Sequence, residues 1–307
     1  MRSPRCRHCP RASSLDSAKA INVALASGRN LIFTPGIYHL DRAIEVNRPD
    51  TVVLGLGFPT LVPDTGAVAM SVADVKGVKL AGLLFDAGPV SSPVLLQVGT
   101  QKAHKSDPAD PTTVQDVFFR IGGAGLGKST TSLMVNSDNV LLDDIWAWRA
   151  DHGDGVGWMA NTADTGVIVD GDSVTAYGLF VEHYQKTEVI WNGENGTTIM
   201  FQNEMPYDPP DQASWSHDGI NSFASYKVAG DVRSHQGWGL GAYCFFFEVN
   251  PSIVNAHAFE VPNTSGVQFH DLLTVSLGGV GTIEHVINDI GGTANGSNQV
   301  VDLMSYP

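Results

Sequence analysis

The sequence predicts an all-β chain wound as a parallel β-helix, with one short helix near its N-terminus. Three observations carry this reading. Beyond residue 30 the text is almost unbroken strand and turn: NLIFTPGIYHL, DTVVLGLG, GVKLAGLLFDAG and TTIMFQNE are short apolar runs punctuated by Gly, Asn or Asp. The chain holds 33 glycines and only 16% charged residues, which suits tight turns between strands better than helices. Finally, SDNVLLDDIWAWRAD, GDSVTAYGLFVEHYQ and GENGTTIMFQNEMPY repeat one pattern, a polar turn followed by apolar residues at alternate positions. A repeat of about 20 to 35 residues in strand text, with no helices between, is how stacked coils read. A sandwich or jelly roll is the alternative, but it calls for two-residue hairpins, which are scarce here.

The opening MRSPRCRHCPRASS is foreign to the rest. It carries four of the 18 basic residues within its first eleven positions and lacks the apolar stretch of a signal peptide. We expect residues 1–14 to be a disordered tail or the product of a misplaced gene start. Residues 15–307 should form one β-helix domain, since no linker divides them. Cys6 and Cys9 flank His8 in a CxxC, but no second pair completes a zinc site. Cys244, in AYCFFF, reads as a small buried hydrophobe. The helix is SLDSAKAINVALASGR, Ser14 to Arg29, with Ser14 or Asp16 as cap and Gly28 as stop. No apolar run reaches the 18 residues of a membrane span.

GGAGLGKST fits the phosphate-binding P-loop pattern, with Gly122, Gly127, Lys128 and Ser129 at the required spacing. That device needs a strand before it and a helix N-terminus behind it. VQDVFFRI supplies the strand. TTSLMVNSDNVLLDD alternates instead of following a helical period, so we read the motif as a turn between strands with Lys128 solvated. The net charge of −14 argues against nucleic acid, anionic membranes and polyanionic substrates. An uncharged sugar polymer is compatible. No cofactor fingerprint stands out.

Aligning the repeats puts Ile145, Leu179 and Phe201 at one coil position and Ala147, Val181 and Asn203 at the next inward one. Trp148, Glu182 and Glu204 then share an outward position. Glu182 and Glu204 are 22 residues apart (204 minus 182), one plausible coil, which sets their backbones roughly 4.8 Å apart. Two carboxylates that close repel, and one pKa rises, as general-acid work requires. Trp148 one coil away could form an apolar wall or a stacking face for a sugar ring. Asp151 and Tyr207 each follow a stack member by three residues and could reach the same surface. The bland reading, exposed Glu on a β-helix face, stands beside this one.

These residues also carry a resemblance. WAWRADHGDGVGW (146–158), GLFVEHYQKTEVIWNGENGTTIMFQNEMPYDPP (178–210), GWGLGAYCFF (237–246) and FHDLLTVSLGGVGTIEHVIND (269–289) resemble glycoside hydrolase family 55, from about Leu15 to the C-terminus. The resemblance implies right-handed, single-stranded, pectate-lyase-like coils, and an exo-β-1,3-glucanase of the laminarinase type that works from the non-reducing end with inversion. It implies Glu204 as general acid and Glu182 beside it. It implies Trp148, Asp151, Gln202 and Tyr207 as sugar contacts. It also implies secretion, and a neutral β-glucan as partner. Family members set two β-helices side by side, and this chain resembles only the second, so the first would be a further partner. An inverting acid and base stand about 6.5–9.5 Å apart, so carboxylates on adjacent coils are too close to be that pair. Glu182 is therefore expected to tune Glu204 or to orient water or substrate. A missing half would leave a coil end and a flank exposed. A truncated binding module without its own water-activating groups, and a polysaccharide lyase on the same fold, are the rivals.

Other features read as structural. His152 and Asp154 suggest a polar turn more than a metal site, and His217 with Asp218 suggests a loop. Trp158, Trp191, Trp215 and Trp238 could be sugar platforms or core. Trp191 is favoured as a platform because it lies between the two glutamates. The sequons at Asn195, Asn263 and Asn295 matter only in a secreted chain.

Overall fold

The computed structural model describes residues 11–101, 107–246 and 252–307. Cys6, Cys9 and the rest of residues 1–10 lie outside the described residues. Residues 11–14, which composition grouped with the tail, belong to the fold. Arg11 and Ala12 pair in parallel with Ile32 and Phe33.

Two long parallel sheets run the length of the molecule, so the chain is a β-helix and not a sandwich. One is built by Lys79–Asp86, Thr113–Ile121, Leu141–Arg149, Thr175–Glu182, Gly196–Glu204, His235–Cys244 and Val267–Ser276, each pairing in parallel with the next. The inward ladders are those the repeats predicted. Val117, Ile145, Leu179, Phe201 and Leu240 stack in register, as do Phe119, Ala147, Val181, Asn203 and Ala242. Most of these side chains are apolar, and all are at most 1% exposed. Alternation with a period of two selects them for the interior.

Each of these seven strands also bends at one equivalent residue. Gly82, Asp116, Asp144, Gly178, Met200, Gly239 and Asp271 all have φ between +49° and +68° and fall between matched register positions. Glycine adopts this left-handed conformation freely and Asp tolerates it, whereas Met does not. The bend turns the strand onto a second face. Residues before it, such as Ile199 and Trp238, look out on one side, and residues after it, such as Gln202 and Glu204, on another.

The helix is Ala18–Ala26, shorter than the predicted span. Its cap is Ser17, whose hydroxyl accepts from Ala20 N, and not Ser14 or Asp16. Gly28, with φ +89°, stops it as expected. Asn22 on this helix accepts from Glu45 N and donates to the Ala43 carbonyl. It thereby satisfies the outer edge of Ile44–Val46, the last strand of the second sheet. At the opposite end Val300–Tyr306 pairs antiparallel with Val267–Ser276 and closes the first sheet.

Candidate active site

The outward ladder after the bend runs Asp86, Arg120, Trp148, Glu182, Glu204, Tyr243. Trp148, Glu182 and Glu204 occupy the register the repeats assigned. The neighbouring outward ladder is Phe118, Trp146, Phe180, Gln202. Trp146 stacks on Trp148 with ring centroids 5.5 Å apart and donates from Nε1 to Glu182 Oε2 at 2.8 Å.

The two carboxyls have different environments. Burial pushes the Glu182 carboxyl up to about 7, and the charges of Glu204 and Asp151 add to that rise. The Trp146 indole N–H, and to a lesser degree Gln202, oppose it. The charge of Glu204 is thus one of the causes that tune Glu182. Glu204 Oε2 accepts a short hydrogen bond from the Tyr207 hydroxyl, and Oε1 lies 3.4 Å from the Gln202 amide nitrogen. Burial, then the Glu204 carboxylate, raises the Tyr207 phenol, so its proton stays on oxygen to donate. Asp151 Oδ1 is 2.8 Å from His152 Nδ1.

Two further groups hold this arrangement. His183, 3% exposed, places Nδ1 3.1 Å from the Met205 carbonyl and Nε2 3.9 Å from both Asp151 Oδ1 and Glu204 Oε2. Arg149, 1% exposed, donates from Nη1 and Nη2 to the two oxygens of Asp208 at 2.9 and 2.8 Å. It also donates to the carbonyls of Asn161 and His183. Its guanidinium lies over the Trp158 ring, which gives that tryptophan its role. One buried cation thus ties together the three loops that surround the pair.

A family profile for the LAM55 pectate lyase-like domain matches residues 11–204. The chain belongs to this family. An exo-beta-1,3-glucanase of Streptomyces sp. SirexAA-E is 54% identical over 292 residues, which are 95% of this chain and 48% of that protein. The solved structure of sacteLam55A from the same organism superposes with a TM-score of 0.94 at 53% identity, covering 97% of this chain and 54% of that one. A variant of sacteLam55A in complex with glucose matches equally well. A non-secreted LysM effector of Penicillium expansum is 24% identical over 254 residues, 70% of this chain and 17% of its own length. This LAM55 chain spans about half the length of the glucanase and of the structure it matches. The family 55 resemblance and the pectate-lyase-like β-helix both hold.

One expected contact is corrected. Trp191 is fully buried and cannot be a sugar platform. It ends Val189–Trp191 in the second sheet, where alternation turns it inward against Tyr226 and His235. Lying between the glutamates in sequence put it on the wrong side of the coil. Trp215 is also core, at 1% exposure. Trp238 is exposed but stacks on His270, before the bend and away from the pair. His217 stacks on Phe223 and bonds the Ser222 carbonyl in a small hairpin loop. After Lys128 comes Ser129–Val135, a strand, so the glycine-rich segment has no helix N-terminus to offer phosphate. Its glycines answer to packing: a Cβ on Gly122 would meet the Asn161 side chain at 2.6 Å, and one on Gly127 the Ala87 carbonyl at 2.5 Å. Gly122 and Leu126 line a groove that also takes in Asp86 and Arg120, at the far end of the ladder.

Sequence reasoning missed Trp146, His183, Tyr243 and the Arg149–Asp208 pair. Trp146 was within reach, being two residues before Trp148 on the same face. His183 carried no signal beyond following Glu182.

Proposed function

We propose that this LAM55 chain supplies the acid half of a glycosidase acting on β-1,3-glucan from the non-reducing end, with inversion. The observation that carries the reading is the in-register Glu182–Glu204 pair flanked by the Trp146–Trp148 stack. A glycosidic oxygen leaves only as the alcohol, so a carboxylic acid must protonate it. We assign that role to Glu204. Adjacent carboxyls titrate as a pair. Glu182, pushed up to about 7, can therefore hold a proton beside Glu204 near neutral pH. Trp148 offers a ring face to a sugar, and Asp151, Gln202 and Tyr207 offer polar groups that can hydrogen-bond hydroxyls. The net charge of −14 suits an uncharged polymer and disfavours a uronate, which speaks against a lyase. The relative named as an exo-beta-1,3-glucanase supports the substrate class. Export to where such polymers lie belongs to the same reading.

A second reading keeps the binding face without turnover. Glu182 and Glu204 are register neighbours on adjacent strands, whose backbones stand roughly 4.8 Å apart, a spacing short of the about 6.5–9.5 Å between an inverting acid and base. The chain also covers only 48% of the glucanase. Water activation would then come from a segment beyond this chain.

Glucose release from laminarin by the purified chain, beside Glu204→Gln, tests the assignment. Release that vanishes in the variant, while circular dichroism is unchanged, is the expected result. Equal release by both would remove Glu204 from the role, and folded but inactive wild type would favour the second reading.

A further inference from the structure

We propose that His183 governs the proton on Glu204, its Nε2 neutral whenever Glu204 is the carboxylic acid and taking up N–H⁺ only beside the Glu204 carboxylate. The inference rests on the reading of Glu204 as the acid.

The tautomer is fixed first. Nδ1 lies 3.1 Å from the Met205 carbonyl, which can only accept, so Nδ1 carries hydrogen and Nε2 carries the titrating lone pair. That lone pair stands 3.9 Å from Asp151 Oδ1 and from Glu204 Oε2. A lone pair facing two carboxylate oxygens is repelled, whereas an imidazolium N–H is attracted to both. The ring is also tied to Glu204 through the chain, because His183 N donates to the Glu204 carbonyl at 2.7 Å. His183 holds φ +67°, a left-handed conformation that costs a His side chain energy and survives only where its surroundings impose it.

Groups face the ring from every side. Asp151, bonded to the exposed His152, comes from the loop after Leu141–Arg149, and Glu204 from its own strand. Arg149, neutralised by Asp208, holds the His183 carbonyl. Tyr207 sets its ring edge-on at 4.5 Å while its hydroxyl holds Glu204, and Glu182 precedes His183 in the chain. Burial holds the imidazole below the usual histidine range, and Asp151 and Glu204 pull it the other way. The balance therefore depends on the charge of Glu204.

The proton traffic closes on itself. Glu204 gives its proton to the leaving oxygen and becomes a carboxylate. His183 Nε2 takes up, through solvent, the one proton that the attacking water releases as it adds to the sugar, so no hydroxide is left over. That proton passes to Glu204 Oε2, which restores the carboxylic acid and the neutral imidazole. His183 is a positioning residue in this scheme, since it acts only through Glu204.

The test follows the His183 imidazole by NMR titration of the whole chain, with His183→Gln to assign its signal. In Glu204→Gln the midpoint should fall by about one pH unit, because a charge that favours the imidazolium is gone. An unchanged midpoint overturns the proposal, whether or not the chain is active. Kinetics add a second arm. His183→Asn keeps tolerance of positive φ and a donor for Met205, but lacks Nε2. We expect kcat to fall at least tenfold with KM nearly unchanged and with an altered pH profile. Wild-type kcat and profile in this variant would show a structural role only. If Glu204→Gln were fully active while the midpoint still fell, the acid assignment alone would fail.

Discussion

Replacing Glu182 by Gln should make the protein more stable in mild alkali than in acid, relative to wild type. The folded chain holds this carboxyl at about 7, against an ordinary value of 4.5. At about 1.4 kcal/mol per pH unit, the gap amounts to about 3 kcal/mol. The sign follows from proton binding. Between those two values the folded state keeps a proton that the unfolded state releases, so wild-type stability is full below pH 4.5 and declines until pH passes 7. An amide cannot ionise, and its oxygen still accepts from Trp146 Nε1, so the variant escapes the decline. Urea unfolding of both proteins at pH 4 and pH 8 measures it. From the lower to the higher pH the variant should gain about 3 kcal/mol on wild type. A gain under about 1 kcal/mol would mean that Glu182 is not held protonated by its surroundings, and the account of the pair would fall with it.

Two further outcomes are expected. Arg149→Lys keeps a charge but loses the two-pronged contact with Asp208 and the bonds to the Asn161 and His183 carbonyls; it should cost about 2–4 kcal/mol in urea unfolding. Met200→Asn should raise stability by about 1 kcal/mol, seen as a higher Tm, because Met200 is the one bend residue that is neither Gly nor Asp.

The ladders were legible because two regular signals coincided. Alternation fixed which side chains turn inward, and the polar turn before each run fixed where the coil begins, so Ile145, Leu179 and Phe201 could be stacked by eye. The bends were hidden, since Gly, Asp and Met share no composition, and a single residue leaves no period. Trp191 misled because nearness in sequence says nothing about which side of a coil a residue joins. Arg149 and Asp208 are 59 positions apart and meet through loops, where no repeat constrains them. The helix was found but overlong, as the true cap, Ser17, lies in a run that also offers Ser14 and Asp16.

The ladder is regular, but the chain between its rungs is not. From Arg120 to Trp148 is 28 residues (148 minus 120), from Trp148 to Glu182 34 (182 minus 148), from Glu182 to Glu204 22 (204 minus 182), and from Glu204 to Tyr243 39 (243 minus 204). The shortest circuit joins the two glutamates, and a long one lies on either side. The surplus of those long circuits bulges as residues 150–164 and 205–225, next to the pair. Two kinds of genetic change can therefore act on this protein separately. Substitutions on the rungs alter the chemistry at fixed spacing, while insertions and deletions in the bulges reshape what can approach it. A lineage can change the size of molecule it admits without moving either carboxyl.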